Sequence, residues 1–187
     1  SNKNEHTDTT MAISDKDIIA ALRTDTEAGF RLLVQKYREP IYWHIRRLVV
    51  AHADAQDAAQ ETFVRIFRSV DGYKGNTSLA AWIYRIATNE ALRLIGRRQT
   101  QPTLPADDSA VADRLAADRY VDYADAEAVD MQRAILSLPP KQQVVFNLRF
   151  YDEMNYTDIA QVTGSNVAAV KVNYHLAKEK VKRRLLA

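Results

Sequence analysis

The chain has no cysteine, which excludes disulfide frameworks and thiolate metal sites and fits a reducing compartment. Its four histidines, His6, His44, His52 and His175, have no spacing that puts two ligands on one helical face, so neither a metal nor a cofactor is expected. Glycine and proline are scarce, five of each, and so are alternating β-branched runs, so helices are expected almost throughout. Long apolar runs are missing too. The run around Leu48 to Ala51, like the others, falls far short of the roughly 20 residues a membrane helix needs, so no membrane insertion is expected. The opening SNKNEHTDTT lacks the apolar segment of a signal peptide, and residues 1–12 read as a tail outside the fold. A cytoplasmic protein is the expectation.

What is present suffices for one medium core or two small ones: 187 residues, 47% hydrophobic and 27% charged. The net charge of +2 hides a segregation. Between Gln99 and Asp130, eight acids (Asp107, Asp108, Asp113, Asp118, Asp122, Asp125, Glu127 and Asp130) face only Arg114 and Arg119, so this stretch is six charges negative and the remainder eight positive. Pro102, Pro105 and the run DDS give it a linker's composition. The reading is an all-α fold of two basic helical domains, 13–98 and 128–187, joined by a flexible acidic linker over 99–127.

In the first domain Ser14 and Asp17 have the pattern of a helix N-cap with an acidic first turn. Ala28 to Tyr37 and Ile41 to Val50 read as a helical pair broken or kinked by Pro40. Ala59, Phe63, Ile66 and Val70 recur at helical spacing and are expected to be core. Asp57, Gln60 and Glu61 share another face of that helix. No histidine or third carboxylate joins them, so no catalytic residues are assigned. Next, Asp71-Gly72 and Lys74-Gly75-Asn76 are turn chemistry, and Thr77 or Ser78 can cap the following helix. The loop thus presents Tyr73, Lys74, Asn76 and Thr77 beside a helix with core candidates Leu79, Ile83, Ile86 and Leu92 and surface candidates among Tyr84, Arg85, Thr88, Asn89 and Arg93. Trp82 fits either the core or a platform for unpaired bases. Arg97 and Arg98 near the helix end suit both its dipole and phosphates.

The second domain contains YTDIAQVTGSNVAAVKVNYHLAK. Thr157 can cap a first helix, Ile159 and Val162 point inward, Gly164 ends it, and Asn166 caps a second helix whose buried stripe is Val170, Tyr174, Ala177 and Val181. The outward arc is then Ala168, Lys171, Val172, His175 and Lys178, with Ala169 on its flank. That is a helix-turn-helix with small side chains to approach base edges and lysines to reach phosphates, suited to the major groove of duplex DNA.

The pairing of DAQDAAQETFVRIFRSVDGYKGNTSLAAWIYRIATNEAL with LPPKQQVVFNLRFYDEMNYTDIAQVTGSNVAAVKVNYHLAKEKVKRRL resembles a bacterial RNA polymerase sigma factor of the extracytoplasmic-function (ECF) group. The resemblance runs from about Ile13 to the C-terminus and implies a region 2 domain, a linker and a region 4 domain. It implies that Asp57, Gln60 and Glu61, which match the family's D-x-x-Q-E motif, dock on the clamp helices of the polymerase's largest subunit. It further implies that the loop and tryptophan helix, with Tyr73, Lys74, Asn76, Thr77, Trp82, Tyr84, Arg85, Asn89 and Arg93, open the minus-10 promoter element and hold a flipped base. Region 4 would read the minus-35 element through Arg149, Thr157, Asn166, Ala168, Ala169, Lys171, Val172, His175 and Lys178, and would meet the flap of the second-largest subunit. The linker would thread the polymerase cleft, and an anti-sigma factor, which can hold such a protein at the membrane, is a further implied partner.

The chain departs from the family's pattern at Ala80, Arg93, Ala169, Val172 and Asn173, which bears on the DNA sequence read and not on the role. A free-standing helix-turn-helix regulator is the alternative, but it leaves Asp57, Gln60, Glu61 and the tryptophan segment without a use.

Overall fold

The computed structural model describes residues 12–100 and 126–187, with the side chains of 98–100 left out. The expected tail and most of the acidic linker, with Arg98's side chain, lie outside the described residues. Within them the protein is all α-helical.

Helix α1, Asp15–Thr24, begins as its sequence predicts, with Ser14 Oγ accepting from the Asp17 amide at 3.1 Å. Asp25 closes α1 and opens α2, Thr26–Val49: its N–H donates to Ala21 O at 2.8 Å while its carboxylate accepts from the Ala28 amide at 3.2 Å. One residue therefore forms the whole connection, and the two helices must cross closely. Gly29 permits the crossing, because a Cβ there would lie 2.4 Å from the Leu22 backbone nitrogen.

Proline does not break α2. The helix runs through Pro40, correcting the expected interruption. Pro40 removes one N–H and deprives Lys36 of its i+4 donor, but Leu33 and Tyr37 before it and Ile41 and Ile45 after it are all buried in one core. Their shared packing outweighs one missing bond.

Val50 links α2 to α3, His52–Ser69, in a conformation that β-branched residues avoid: φ 72° and ψ −53°, with the Ala51 amide donating to Val49 O at 2.9 Å. It is held there by burial against Val129 of the second domain. On α3 the fully buried stripe is Ala55, Ala58, Thr62 and Ile66. Ile66 and Val70 are core as expected, but Ala59 and Phe63 are only half-buried and belong to a second apolar face. Thr62 can sit in the core because its hydroxyl donates to Ala58 O at 2.7 Å.

A short 3-10 turn, Val70–Gly72, leads through a loop to α4, Leu79–Thr100, which Ser78 caps by accepting from the Ala81 amide at 3.0 Å. The second half comprises α5, Ala126–Leu136; α6, Pro140–Phe150; α7, Tyr156–Thr163; and α8, Val167–Leu186. Helix α7 is capped by Asn155, not Thr157: Asn155 Oδ1 accepts from the Asp158 amide at 2.8 Å. Gly164 at φ 65° ends α7, and Asn166 caps α8, accepting from the Ala169 amide at 2.9 Å. Val170, Ala177 and Val181 are buried as predicted, with Tyr174 half-buried.

One apolar core joins Ile18, Ile45 and Ile83 of the first half with Leu148, Ile159 and Val170 of the second. A smaller one, with Ile135, Phe146 and Ala177, lies within the second half.

Gly29→Ala is expected to destabilise the protein by about 1–3 kcal/mol, because the new methyl meets backbone that cannot turn aside. Gly96→Ala, in open space on helix α4, is expected to stabilise by about 0.5–1 kcal/mol. Urea denaturation of the two variants checks both signs.

Candidate partner and nucleic-acid interface

Helices α2 and α3 leave between them an open groove of about 1150 Å³. Phe30, Val34, Tyr42, Ala59, Phe63 and Phe67 supply its apolar lining. Phe67 is 47% exposed and meets Phe30 edge-on, with ring centroids 5.0 Å apart. The apolar positions 59, 63 and 67 are a second stripe at i, i+4, i+8, one step around the helix from the core stripe. Sequence reasoning merged the two stripes, although the four-residue spacing ending at Phe67 was the signal that could have separated them.

Of the three predicted docking residues, Gln60 lines this groove and Asp57 is exposed one turn earlier. Glu61 is half-buried and begins a chain of ion pairs to α4: Glu61 to Arg65 at 3.2 Å, Arg65 to Glu90 at 2.6 Å, and Glu90 to Arg93 at 2.6 Å. Glu90 is buried, and its two arginine partners supply the compensation a buried carboxylate requires.

In the loop before α4, Tyr73 Oη donates to Thr77 O at 2.6 Å and Lys74 Nζ to Asp71 O at 3.3 Å, while Asn76 is exposed. The Tyr73 ring lies 5.2 Å from that of Trp82, which is half-buried, so Trp82 packs against the core while remaining partly exposed. Arg85, Asn89 and Arg93 are exposed and follow Trp82 at steps of three, four and four, which makes one face. Tyr84 corrects the outward placement expected for it: it is 5% exposed, and its hydroxyl donates to Asp152 Oδ1 of the second half at 2.7 Å. Thr88 is likewise buried.

The helix-turn-helix presents Ala168, Lys171, Val172, His175 and Lys178 to solvent, with Ala169 half-buried beside them. Asn166 and Thr157 are also exposed. The Lys171 and Lys178 ammonium groups sit 5.7 Å and 5.2 Å from the rings of Tyr156 and Tyr174. Arg149 is committed within the unit: its guanidinium lies 4.4 Å over the Tyr156 ring and donates to Met154 O at 3.0 Å.

The two halves meet where α4 packs on α7 and α2 on α6. At their junction the Asp152 carboxylate, besides accepting from Tyr84, lies 3.9 Å from His44 Nδ1 and 4.0 Å from Arg47. Arg47 also stacks 4.2 Å over the Tyr151 ring, and Arg85 Nη1 donates to Gln161 O at 3.4 Å. His44 is fully buried, and its Nε2 pairs with Thr88 Oγ1 at 2.8 Å. Burial, helped by the nearby Arg47 charge, lowers the His44 pKa from 6.5 to about 3. Burial raises that of Asp152, against the Tyr84 hydrogen bond and Arg47, which act to lower it. His44 Nδ1, Asp152 Oδ2, Gln161 Oε1 and both side-chain polar atoms of Asn147 are buried without a hydrogen-bond partner.

No group of His, Cys, Asp and Glu able to hold a metal occurs among the described residues, and none of their helices is long and apolar enough to cross a membrane.

Comparison with known proteins follows the same division of the chain. The sigma-70 region 2 family matches residues 33–101, and the sigma-70 region 4 family matches 128–181. The chain belongs to the sigma-70 family of RNA polymerase sigma factors, in its ECF group. It is 29% identical over 181 residues to the RNA polymerase sigma-H factor of Pseudomonas aeruginosa, covering 91% of this chain and 93% of that protein. It is 26% identical over 184 residues to the ECF sigma factor SigW of Bacillus subtilis, covering 94% and 98%. Among solved structures it is similar in fold to CnrH in complex with the cytosolic domain of CnrY, with a TM-score of 0.69 at 20% identity over 91% of this chain and 96% of that one. It is also similar to the sigma factor RpoE of Bartonella quintana, solved with the anti-sigma factor NepR, with a TM-score of 0.65 at 17% identity over 84% and 97%.

The His44 shift sets a pH dependence. The folded pKa lies below the unfolded one, so the unfolded chain takes up a proton first; stability is full above pH 6.5 and is lost as pH falls toward about 3. Asp152, shifted upward, works in the opposite sense. Denaturant midpoints are therefore expected to fall from pH 6.5 to 4 more steeply in the wild type than in His44→Gln, which carries the same Asp152.

Proposed function

We propose that this sigma factor binds core RNA polymerase, directs it to specific promoters and helps melt their minus-10 element. The observation that carries the reading is the presence, in one chain, of an apolar groove rimmed by Gln60 and of a helix-turn-helix with an outward face of small and basic side chains. The first suits a protein partner and the second a duplex. A free-standing regulator needs only the second.

The α2–α3 groove takes a helix of the polymerase clamp: Phe63 and Phe67 provide the apolar anchor, and Asp57, Gln60 and Glu61 the polar rim. The loop from Tyr73 to Thr77, with Trp82 and the Arg85, Asn89 and Arg93 face, receives the opened minus-10 strand, the aromatics offering a stacking surface and the arginines meeting phosphates. Tyr84 joins that face only when the second half moves away. In the helix-turn-helix, Ala168, Ala169 and Val172 approach base edges, Lys171, His175 and Lys178 reach phosphates, and Arg149 orients the unit through Tyr156. Thr157 and Asn166, exposed at the starts of the two helices, meet the backbone flanking the minus-35 element, and the flap of the second-largest subunit contacts the same domain. None of these groups forms or breaks a covalent bond. An anti-sigma factor, of the kind solved with the RpoE relative, is a fitting cytoplasmic regulator and a means of tethering this protein at a membrane.

Asp57→Ala combined with Phe67→Ser is expected to weaken binding to core polymerase at least about tenfold, or ~1.4 kcal/mol, while changing fold stability by only about 1 kcal/mol. Full affinity in the folded variant removes the groove from the docking role. Failure of the wild type to bind core polymerase leaves the free-standing regulator.

Replacing Lys171 or Lys178 by Ala is expected to weaken binding to all promoters alike and to reduce the salt slope by about one unit. Val172→Thr is expected to change which minus-35 sequences are used. Run-off transcription by the reconstituted holoenzyme on a promoter library, repeated across a salt series, separates these effects. A lysine variant that alters sequence preference with an unchanged salt slope reverses the assignment.

A further inference from the structure

We propose that Glu90 is a positioning residue for the minus-10 strand: its buried carboxylate holds the Arg93 guanidinium ready to meet a backbone phosphate, while Arg65 offsets the negative charge that would otherwise cancel it. This rests on the function proposed above. Glu90 lies on α4 and is only 6% exposed. Each of its oxygens takes a different arginine. Oε1 lies 2.6 Å from Arg65 Nε on α3, and Oε2 accepts from Arg93 Nη2 at 2.6 Å. Neither Glu90 nor Arg65 belongs to the faces assigned above to the clamp or to the strand.

The contact with Glu90 engages one nitrogen of Arg93 and leaves the rest of the guanidinium uncommitted. The Arg93 side chain is 46% exposed and has no other polar partner among the described residues. It continues the exposed row of Arg85 and Asn89 along α4, the row proposed to receive the opened strand. A planar fork fixed at one nitrogen has little rotamer freedom left to lose when its other donors meet an oxyanion, whereas a lysine ammonium is a single point charge.

Charge decides whether such a brace helps or hinders. An isolated Glu90–Arg93 pair would be neutral and would attract a phosphate weakly. With Arg65 on the second oxygen, two cations share one anion, and the cluster of three stays positive. Glu61 also reaches Arg65 Nε, at 3.2 Å, but one N–H cannot serve two acceptors equally, and Glu90 is the nearer. Under the proposed docking, Glu61 turns its charge to the clamp. Burial completes the device: an exposed carboxylate would exchange its partners with water and salt, but Glu90 is shielded and retains both arginines.

Glu90→Gln discriminates by sign. It removes a negative charge near a polyanion, which Coulomb attraction alone would turn into tighter binding; loss of the brace weakens binding instead. Reconstituted holoenzyme is titrated with a promoter selected by run-off transcription and mismatched over its minus-10 element, so that the strands are already open. Arg93→Ala and Glu90→Gln are each expected to lower affinity about tenfold, as the loss of a charge-assisted hydrogen bond would. Arg93→Ala should also flatten the salt slope by about 0.7, the value for one phosphate of a single strand. In the Arg93→Ala background Glu90→Gln should add no further loss, a coupling that a merely structural role does not produce. Arg93→Lys keeps the charge without the fork; it should bind as weakly as Arg93→Ala, and it carries the test if Glu90→Gln does not fold. Unchanged or tighter binding by folded Glu90→Gln overturns the proposal, as do additive losses in the double variant or wild-type affinity in Arg93→Lys. If the wild-type holoenzyme does not bind the premelted promoter at all, the sigma-factor function falls and the brace falls with it.

Discussion

Asp152 carries a carboxylate into the seam between two helical halves, and each half is arranged around the need to accommodate it. A carboxylate so placed must find donors or cations. Tyr84 supplies the donor and Arg47 the nearby charge, from α4 and α2 respectively. His44 cannot serve as a cation there, because it is fully buried and stays neutral, spending Nε2 on Thr88. The carboxylate is therefore only partly satisfied. A wholly apolar seam would hold the halves together more tightly, because no polar group would be desolvated there without a partner.

Much of the local structure is legible in the residues themselves. The Ser14 cap, Gly164 at its left-handed position, the Asn166 cap and the buried Val170, Ala177 and Val181 stripe all follow from short-range chemistry, where one side chain and its nearest turn decide the outcome. The misreadings share a different cause. Pro40 stays inside a helix because residues on both sides of it are held in one tertiary core, which propensity alone does not reveal. Tyr84 is buried because a loop 68 positions away presents a carboxylate to it. Asn155 caps α7 in place of Thr157 because the chain turns two residues earlier than the apolar pattern suggests.

Helix α3 shows why the candidate docking site was harder to see than the DNA-binding unit. A helix with one apolar stripe reports its buried face directly, but α3 has two, offset by one residue. Ala55, Ala58, Thr62 and Ile66 pack inward, while Ala59, Phe63 and Phe67 face the groove. A hydroxyl in the core and aromatics toward solvent invert the usual assignment, so periodicity read from hydrophobicity favours the wrong stripe. Only the intrahelical bond from Thr62 to Ala58 O makes the inward choice inexpensive. The polar residues Asp57 and Gln60 lie at or next to the groove, but helical spacing alone assigns its apolar floor at Ala59 and Phe63 to the core.

The same division between what is fixed and what is left open runs through the helix-turn-helix. Its scaffold is over-determined: an Asn cap at each helix start, a left-handed glycine between them, and Arg149 spanning Tyr156 and the Met154 carbonyl. Its outward face is sparsely committed. Ala168 and Val172 have no polar atom to place, and Lys171 and Lys178 rest near aromatic rings without an ion pair fixing their direction. Long cationic side chains held this loosely can follow a phosphate backbone, and small apolar ones let the helix axis approach base edges. Under the proposed function, sequence preference would come from close steric fit and methyl contacts more than from forked hydrogen bonds, at exposed positions whose substitution disturbs the fold least.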